Sequence, residues 1–353
     1  MKSTHKRVGI KDIAERAGVS VGPVDKVLNN RSGVSKKTEE KIIKAIKDLG
    51  YKPNILASRL KSTKSFNIAV LMPRSSKEIP YWSQHEIGFK TVAEELEPYG
   101  FNLERFYFNQ NHEASFKNQT TKILKESFDG IFMVPVFYEK TVQFLKDCKK
   151  KKTPVIFFDS TFPNLEYLAF IGQDAEDSGF IAADLLNRCI PDKAAFLIIT
   201  IKKKDDNHRQ FSTREEGFKS FFKSKKRKLI TYENNMQDGG MLHAELEALL
   251  KKNSSIKGIF VTNGVDKVAE VLNNLHTKNQ YRLMGYDLIE ENVAYLKNGT
   301  IDFLISQQPH LQSYQGIKYF YDYLVLKQPI KKEYFLPIIM VMNSTLKYQT
   351  FAP

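Results

Sequence analysis

The chain of 353 residues is longer than one hydrophobic core ordinarily organises, so we expect at least two domains. Its 42% apolar and 12% aromatic residues exclude a disordered protein, and the charged first twenty residues exclude a secretory signal at that place. The longest apolar runs, such as Ile338 to Met342, have the length of a strand and cannot span a bilayer, so we expect a cytoplasmic protein with no membrane partner. Cys148 and Cys189 supply neither a disulfide framework nor a zinc-type spacing, which fits a reducing compartment.

The net charge of +14 is concentrated at the N-terminus. Residues 1–65 contain 16 Lys or Arg against 6 Asp or Glu, whereas the other 288 residues contain 38 against 34. A small segment of this charge density attracts a polyanion, and its affinity should fall steeply with salt as counterions are released. Charge alone leaves a membrane surface and a nucleic acid as alternatives.

Three short helices are predicted in this basic segment. The first spans Ile10 to Ala17, with Gly9 as its cap and Gly18 ending it. Ser20 is a good N-cap for a second helix from Val21 to about Asn29. A third helix is capped by Ser35 and ended by Gly50, and its apolar face is made by Ile42, Ile43, Ile46 and Leu49. Two helices joined by a three-residue turn and backed by a third form a helix-turn-helix domain, whose second helix enters the major groove.

Residues 10–62 resemble the DNA-binding headpiece of the LacI/GalR family of bacterial transcriptional regulators. The resemblance includes the AGVS turn, the VLN end of the second helix, the VS opening of the third and the LGYKPN exit. Asn54, Ala57 and Leu60 match the family's hinge helix, which orders on operator DNA in the dimer and inserts a leucine into the minor groove. The resemblance therefore implies double-stranded operator DNA as a partner and a homodimer as the assembly; the alternative is a basic three-helix module that binds protein.

Several side chains of the second helix are candidates for reading the operator. Lys26 can donate to guanine, Val21 can contact a thymine methyl group, and Asp25 can accept from a cytosine amino group or serve as a local ion-pair partner of Lys26. Gly22, although placed at the DNA surface, offers no side-chain hydrogen bond. The remaining expected contacts, which are to phosphate, come from Asn29 and Arg31.

Beyond residue 65, short apolar strands alternate with helices, which predicts parallel sheets joined by right-handed crossovers. Nine strands are predicted, near residues 67–72, 103–108, 130–135, 155–159, 195–200, 229–232, 258–262, 283–287 and 302–306. About 290 residues exceed one ordinary doubly wound sheet, so two similar lobes are expected. The family resemblance implies a periplasmic-binding-protein-like core whose lobes close on a small ligand.

The expected organisation is a small all-α helix-turn-helix headpiece followed by a two-lobed α/β core with parallel sheets. The predicted boundaries are residues 1–52 for the DNA-binding domain, 53–65 for the hinge helix and linker, and 66–353 for the effector-binding and dimerisation core. Within the core, the first lobe is expected at roughly 66–165 plus 308–332, and the second at roughly 166–307 plus 333–353.

Polar side chains at the ends of the predicted strands suit the recognition of hydroxyl groups. The candidate ligand residues there are Asp159, Asn263, Asp287 and Gln307. The resemblance adds Arg214, at the family's usual position for a ligand-gripping arginine, and Tyr81 and Trp82 as stacking aromatics in the loop after the first strand.

Each candidate has a structural alternative. Asp159 and Asp287 suit turn caps, and Arg214 can pair with a neighbouring glutamate on its own helix. Asn263 and Gln307 can bond loop backbone, and Trp82 can be buried under its loop.

The sequence contains no nucleophile elbow, no phosphate-binding loop and no metal-binding histidine spacing, so no enzyme, cofactor or metal site is expected. We expect a sequence-specific regulator, with repression as the expected sign, controlled by a small-molecule effector bound between the lobes. A sugar or sugar derivative is the favoured effector, with a purine or another non-sugar molecule as the alternative. A sugar-modifying enzyme and a pure solute-binding protein remain as further alternatives.

Overall fold

The structure is a computed structural model that describes residues 9–28, 31–49, 65–76, 80–202, 209–235, 241–277 and 279–349. It divides into two units, residues 1–63 and 64–353. Within the described ranges, no helix is both long enough and apolar enough to cross a membrane.

In the described part of the first unit, residues 9–28 and 31–49, there are three helices: α1 (Ile10–Ala17), α2 (Val21–Leu28) and α3 (Lys36–Asp48). Asp12 accepts a 2.6 Å hydrogen bond from the Gly9 N–H at the start of α1, and Gly18 ends this helix in the left-handed region at φ 65°. Their shared core consists of Ile13, Ala14, Val24, Ile42 and Ala45.

One residue of α3 departs from the expected pattern. Ile43, predicted on the inward face of the third helix, is 53% exposed, while Ala45 takes a buried place beside Ile42. Neighbouring positions 42 and 43 are about 100° apart around a helix, so a narrow three-helix core cannot bury both.

Twelve strands lie in the described residues of the second unit. They are β1 (Phe66–Pro73), β2 (Phe101–Phe108), β3 (Gly130–Met133), β4 (Val155–Phe158), β5 (Ala169–Gly172), β6 (Ala195–Lys202), β7 (Leu229–Asn235), β8 (Ile256–Val261), β9 (Arg282–Tyr286), β10 (Phe303–Ser306), β11 (Glu333–Phe335) and β12 (Ile339–Val341). The central strands are buried on both faces, as parallel strands covered by helices must be.

Over the same described residues, nine further α-helices cover these strands. They are α4 (Ser83–Leu96), α5 (Glu113–Lys125), α6 (Tyr138–Lys151), α7 (Ala175–Cys189), α8 (Arg209–Phe221), α9 (Met241–Lys252), α10 (Val265–Asn274), α11 (Glu290–Asn298) and α12 (Pro309–Leu324). Short 3₁₀ turns lie at Pro80–Trp82, Glu97–Tyr99 and Asn343–Tyr348.

The strands form two six-stranded sheets of matching order, β11-β5-β4-β3-β1-β2 and β12-β10-β9-β8-β6-β7. Every pairing in the first sheet is parallel, and in the second sheet only β12 runs antiparallel to its neighbour β10 among the described pairings. The expected two-lobed α/β core with parallel sheets is therefore confirmed.

The chain passes between the lobes three times: between β5 and α7, between β10 and α12, and between β11 and β12. The expected lobe boundaries need correction, because residues 169–172 and 333–335 pair in the first sheet rather than the second. These strands contain only four and three residues, so their place is decided by the neighbour they pair with and not by their own pattern.

Candidate functional site

The outer face of α2 carries the residues predicted to read DNA. Val24 is fully buried, whereas Val21 is 44% exposed and Gly22 and Lys26 are exposed. Asp25 forms an ion pair of 3.4 Å with Arg31, and the Arg31 N–H closes the end of the helix on the Lys26 carbonyl at 2.8 Å. The other predicted DNA contacts, Asn29, Asn54, Ala57 and Leu60, lie outside the described residues.

In the second unit, Arg214 of α8 lies at the centre of a buried polar cluster. Its guanidinium donates to the Thr262 carbonyl at 2.7 Å and to Gln307 Oε1 at 2.5 Å. It also lies 3.6 Å above the ring centroid of Tyr286, and the residue is only 2% exposed. Its partners therefore come from strand ends and a crossover, and no contact with Glu215 or Glu216 is needed to explain its place.

Gln307 connects the members of this cluster. Its Oε1 accepts from Arg214 and from Gln210 Nε2 at 2.9 Å, while its Nε2 donates to Asp287 Oδ1 at 2.6 Å. The residue belongs to the crossover between β10 and α12, so one buried carboxamide joins lobe 2 to a segment that passes into lobe 1.

Asp287 follows β9 directly and has a left-handed backbone at φ 77°. Asn292 holds this turn by donating to the carbonyls of Tyr286 and Asp287, both at 2.9 Å. Burial raises the pKa of the Asp287 carboxyl to about 6, and Asp159 and Asp266 also raise it, whereas Arg214 and the Gln307 hydrogen bond lower it.

Lobe 1 contributes Asp159, which follows β4 directly and also has a left-handed backbone, at φ 66°. Its Oδ1 accepts a 2.6 Å hydrogen bond from the Tyr81 hydroxyl. Burial, followed by the charges of Asp159 and Asp287, raises the pKa of Tyr81 well above its usual value, and Arg214 acts in the opposite direction. The charges of Asp287 and Arg214 in lobe 2 therefore act on Tyr81 in lobe 1. This indicates that the two halves of the predicted site lie near each other.

Trp82 and Asn263 are occupied by bonds within their own lobes. Trp82 is 3% exposed and its indole N–H donates to Gln110 Oε1 at 2.9 Å, so the ring is buried, with its centroid 5.0 Å from that of Tyr81. The Asn263 carboxamide accepts from the Ile201 N–H at 3.0 Å and donates to the Ile201 carbonyl at 2.6 Å. Burial of Trp82 is the structural alternative given above, whereas Asn263 bonds the backbone of strand β6 rather than that of a loop. Tyr81 is half-buried and is the less buried member of the aromatic pair.

The three crossovers are also joined to one another. Gln173 Nε2 donates to the Ser306 carbonyl at 3.1 Å, and Gln308 Nε2 donates to the Pro337 carbonyl at 2.8 Å. A further bond crosses directly from lobe 1 to lobe 2, from Gln84 Nε2 to the Leu288 carbonyl at 3.0 Å. The arrangement brings ligand-type side chains to the carboxyl ends of strands in two apposed sheets, where open α/β sheets bind small molecules.

Two family models match the chain: bacterial regulatory proteins of the lacI family over residues 9–54, and the periplasmic binding protein domain over residues 68–328. The chain belongs to the LacI family. This LacI-family protein is therefore a DNA-binding transcriptional regulator with a periplasmic-binding-protein-like domain, and of the partners left open by the charge of the headpiece the family selects DNA.

Two similar proteins match the regulator over very different lengths. The sucrose operon repressor of Streptococcus mutans serotype c is 26% identical over 96% of this chain and 99% of its own length. The transcriptional regulator RegA of Clostridium saccharobutylicum is 33% identical over a stretch that spans only 35% of either protein.

Two solved structures share the fold of the core. One is a putative LacI transcriptional regulator from Bacteroides fragilis, with a TM-score of 0.74 and 23% identity over 81% of this chain and 100% of that one. The other is a solute binding protein from Burkholderia graminis in complex with D-arabinose, with a TM-score of 0.72 and 18% identity over 82% and 99%.

The prediction from the sequence omitted several polar residues of the candidate site: Gln210, Thr262, Gln173, Gln312 and His85. One signal was available. The string HEIGFK at residues 85–90 is similar to REEGFK at residues 214–219, and each follows the first strand of its lobe. This internal similarity places His85 in lobe 1 where Arg214 stands in lobe 2.

Proposed function

We propose that this LacI-family regulator is a repressor that binds its operator as a homodimer and responds to a sugar held between the lobes of its core. The supporting observation is the cluster in which Arg214, Gln307 and Asp287 of one side face Asp159 and Tyr81 of the other. Carboxylates that accept and a guanidinium and carboxamide that donate match the paired donor and acceptor character of vicinal hydroxyls.

The relatives favour a sugar over a purine or another non-sugar effector. One similar protein is named a repressor of a sucrose operon, and a similar fold was solved with D-arabinose bound. A purine would instead favour an apolar slot with one or two amide contacts to its ring edges, whereas the described cluster is dominated by charged groups and amides. The effector must bind the DNA-competent and DNA-incompetent states with different affinity, because equal affinity shifts neither state.

A thermal-shift panel tests the effector class. Purified full-length protein is heated with sucrose, D-arabinose, D-ribose 5-phosphate, adenine or guanine, because a ligand selective for the folded state raises its stability by mass action. At about 100 times its dissociation constant such a ligand adds about 2.7 kcal/mol. We expect a neutral sugar to raise the melting temperature; a shift with adenine or guanine alone would replace the sugar by a purine.

Lys26 tests the operator-reading surface. Changing Lys26 to Ala should weaken specific operator binding by about 1–3 kcal/mol while leaving random-sequence affinity nearly intact, because a base contact distinguishes sequences and a phosphate contact does not. The matched control is Lys44→Ala, which removes the same charge from the exposed part of α3. Equal losses on operator and random duplex, measured by fluorescence anisotropy, would reassign Lys26 to phosphate binding.

A further inference from the structure

His85 lies directly behind the lobe-1 wall of the candidate site. It is fully buried, and its ring stacks on Trp82 with centroids 5.5 Å apart and an interplanar angle of 23°. The ring also makes edge contacts with Tyr81 at 5.4 Å and with Phe158 at 5.1 Å. Tyr81 and Trp82 together are called the aromatic wall below. Both rings of the aromatic wall are therefore in contact with His85.

The polar edge of His85 has one partner. Its Nδ1 lies 2.7 Å from Ser313 Oγ of α12, while Nε2 has no hydrogen-bond partner among the described residues. Burial, with a smaller effect of His310, lowers the pKa of the ring to about 3, so the imidazole is neutral near neutral pH. A phenylalanine would fill the same aromatic surroundings without burying an unpaired nitrogen. What histidine adds at this position is the bond to Ser313.

Ser313 stands next to the residues that hold the polar cluster. Its neighbour Gln312 is fully buried and donates to the Gln307 main-chain carbonyl at 2.8 Å. The carboxamide of Gln307 in turn bonds Arg214 and Asp287. The first turns of α12 are thus bonded on one side to the aromatic wall, through His85, and on the other side to the charged cluster of lobe 2.

We infer that His85 is a positioning residue that fastens the aromatic wall to the first turns of α12 through the hydrogen bond between its Nδ1 and Ser313. This inference rests on the proposed function only in taking the cleft as the effector site. The bond fixes Trp82 and Tyr81 relative to Gln307, so the two sides of the cleft keep one geometry when a ligand enters.

The single tryptophan of the chain reports on this arrangement directly. Trp82 is 3% exposed, so acrylamide should quench its emission weakly in the wild-type protein. We expect Ser313→Ala to raise the quenching constant at least twofold and to shift the emission to longer wavelength, because the wall gains freedom once Nδ1 loses its partner. His85→Phe, which keeps the ring and removes the bond, should do the same.

A matched control removes a buried hydroxyl elsewhere in lobe 1. Thr120 is 6% exposed and donates to the Lys117 carbonyl within its own helix α5 at 3.0 Å, so Thr120→Ala should leave the Trp82 quenching constant unchanged. The double variant His85→Phe with Ser313→Ala should match either single variant, since all three lack the same bond.

The inference would be overturned if the Trp82 quenching constant of Ser313→Ala equalled that of the wild-type protein. It would also be overturned if the effects of His85→Phe and Ser313→Ala on that constant were additive in the double variant. The measurement needs no effector. If no sugar binds but Ser313→Ala exposes Trp82, the proposed function fails and the positioning role stands; if sugars bind and Trp82 is unaffected, the reverse holds.

Discussion

The two lobes of the core share one architecture but carry different side chains at equivalent positions. Their sheets have the same strand order, and in both the helix after the first strand carries a glycine against a backbone carbonyl: Gly88 faces that of His310, and Gly217 that of Glu176. A Cβ on either glycine would lie about 2 Å from the facing oxygen, at 2.0 Å and 1.9 Å respectively, so both helices approach their neighbour as closely as backbone allows.

Three residues before each glycine the lobes diverge. Lobe 2 has Arg214, which reaches a strand-end carbonyl and a crossover carboxamide, whereas lobe 1 has the neutral His85 in an aromatic enclosure. Asp159 and Asp287 are the corresponding residues after the fourth strand of each lobe, and both have a left-handed backbone. One architecture therefore offers two equivalent places for a functional side chain, and the surroundings decide whether a charge can occupy them.

Exchanging His85 and Arg214, which occupy equivalent positions in the two lobes, should change the stability of the protein most strongly. His85→Arg would place a permanent charge among the rings of Trp82, Phe89 and Phe158, and we expect a loss of at least about 4 kcal/mol in the free energy of unfolding. Urea denaturation measures it. Arg214→His should be milder, because the cluster around it is polar; a His85→Arg protein of wild-type stability would show that the two places are interchangeable.

Removing the lobe-2 charge should be the next largest effect. Arg214→Met keeps much of the volume but leaves the Thr262 carbonyl and Gln307 Oε1 without their charged donor, so we expect sugar affinity to fall about 100-fold, or ~3 kcal/mol. Titration calorimetry with the sugar that gives the largest thermal shift measures this. Arg227→Met is the control, since Arg227 is also well buried but bonds Asn187 and the Pro191 carbonyl; a comparable loss of affinity there would make the effect one of general stability.

Acidification should change the stability contributed by His85 of lobe 1 and by Asp287 of lobe 2 in opposite directions. The pKa of His85 is lowered to about 3. Its contribution to the free energy of unfolding is therefore fully present above about pH 6.5 and is lost as the pH falls. The pKa of Asp287 is raised to about 6, so its contribution is present below about pH 4 and is lost as the pH rises through 6. Within these windows each changes the stability by roughly 1 kcal/mol per pH unit.

Unfolding free energies between pH 4 and 8 test this contrast. The stability of wild type relative to His85→Phe should decrease as the pH falls below 6.5, whereas its stability relative to Asp287→Asn should decrease as the pH rises from 4 to 6. Parallel trends for the two variants would mean that the lobes do not differ in the way their buried groups titrate.

The smallest expected effect concerns the support under Arg214. Tyr286 bonds Ser178 of α7 through its hydroxyl at 2.8 Å and presents its ring to Arg214. Tyr286→Phe keeps the ring, so we expect a loss of about 1 kcal/mol in stability and less than a twofold change in sugar affinity. A tenfold loss of affinity would give the Tyr286–Ser178 bond the same positioning role that we infer for His85 and Ser313.

Local signals sufficed for the helices of the headpiece and for most strands of the core. The first helix, Ile10–Ala17, has the predicted bounds because a capping carboxylate and a terminal glycine lie within the helix or next to it. The missed strands β5, β11 and β12 have only three or four residues, and β11 is an edge strand with exposed Glu333 and Phe335. The place of these three strands in a sheet is set by pairing with distant residues, as β5 pairs with β4, β11 with β5 and β12 with β10.

The same division applies to the candidate site. The sequence by itself determined which residue types stand at the strand ends, among them Asp159, Asp287 and Gln307, and the family resemblance added Arg214 and Tyr81. Only the tertiary structure decided which of them meet, since the Arg214–Gln307 bond joins residues 93 apart and the Tyr81–Asp159 bond residues 78 apart. It also directed Trp82 and Asn263 into bonds within their own lobes and buried His85 against Ser313. Residue type and local backbone preference can be read from the sequence. Burial and hydrogen-bond partners are decided only when the two sheets bring distant segments together.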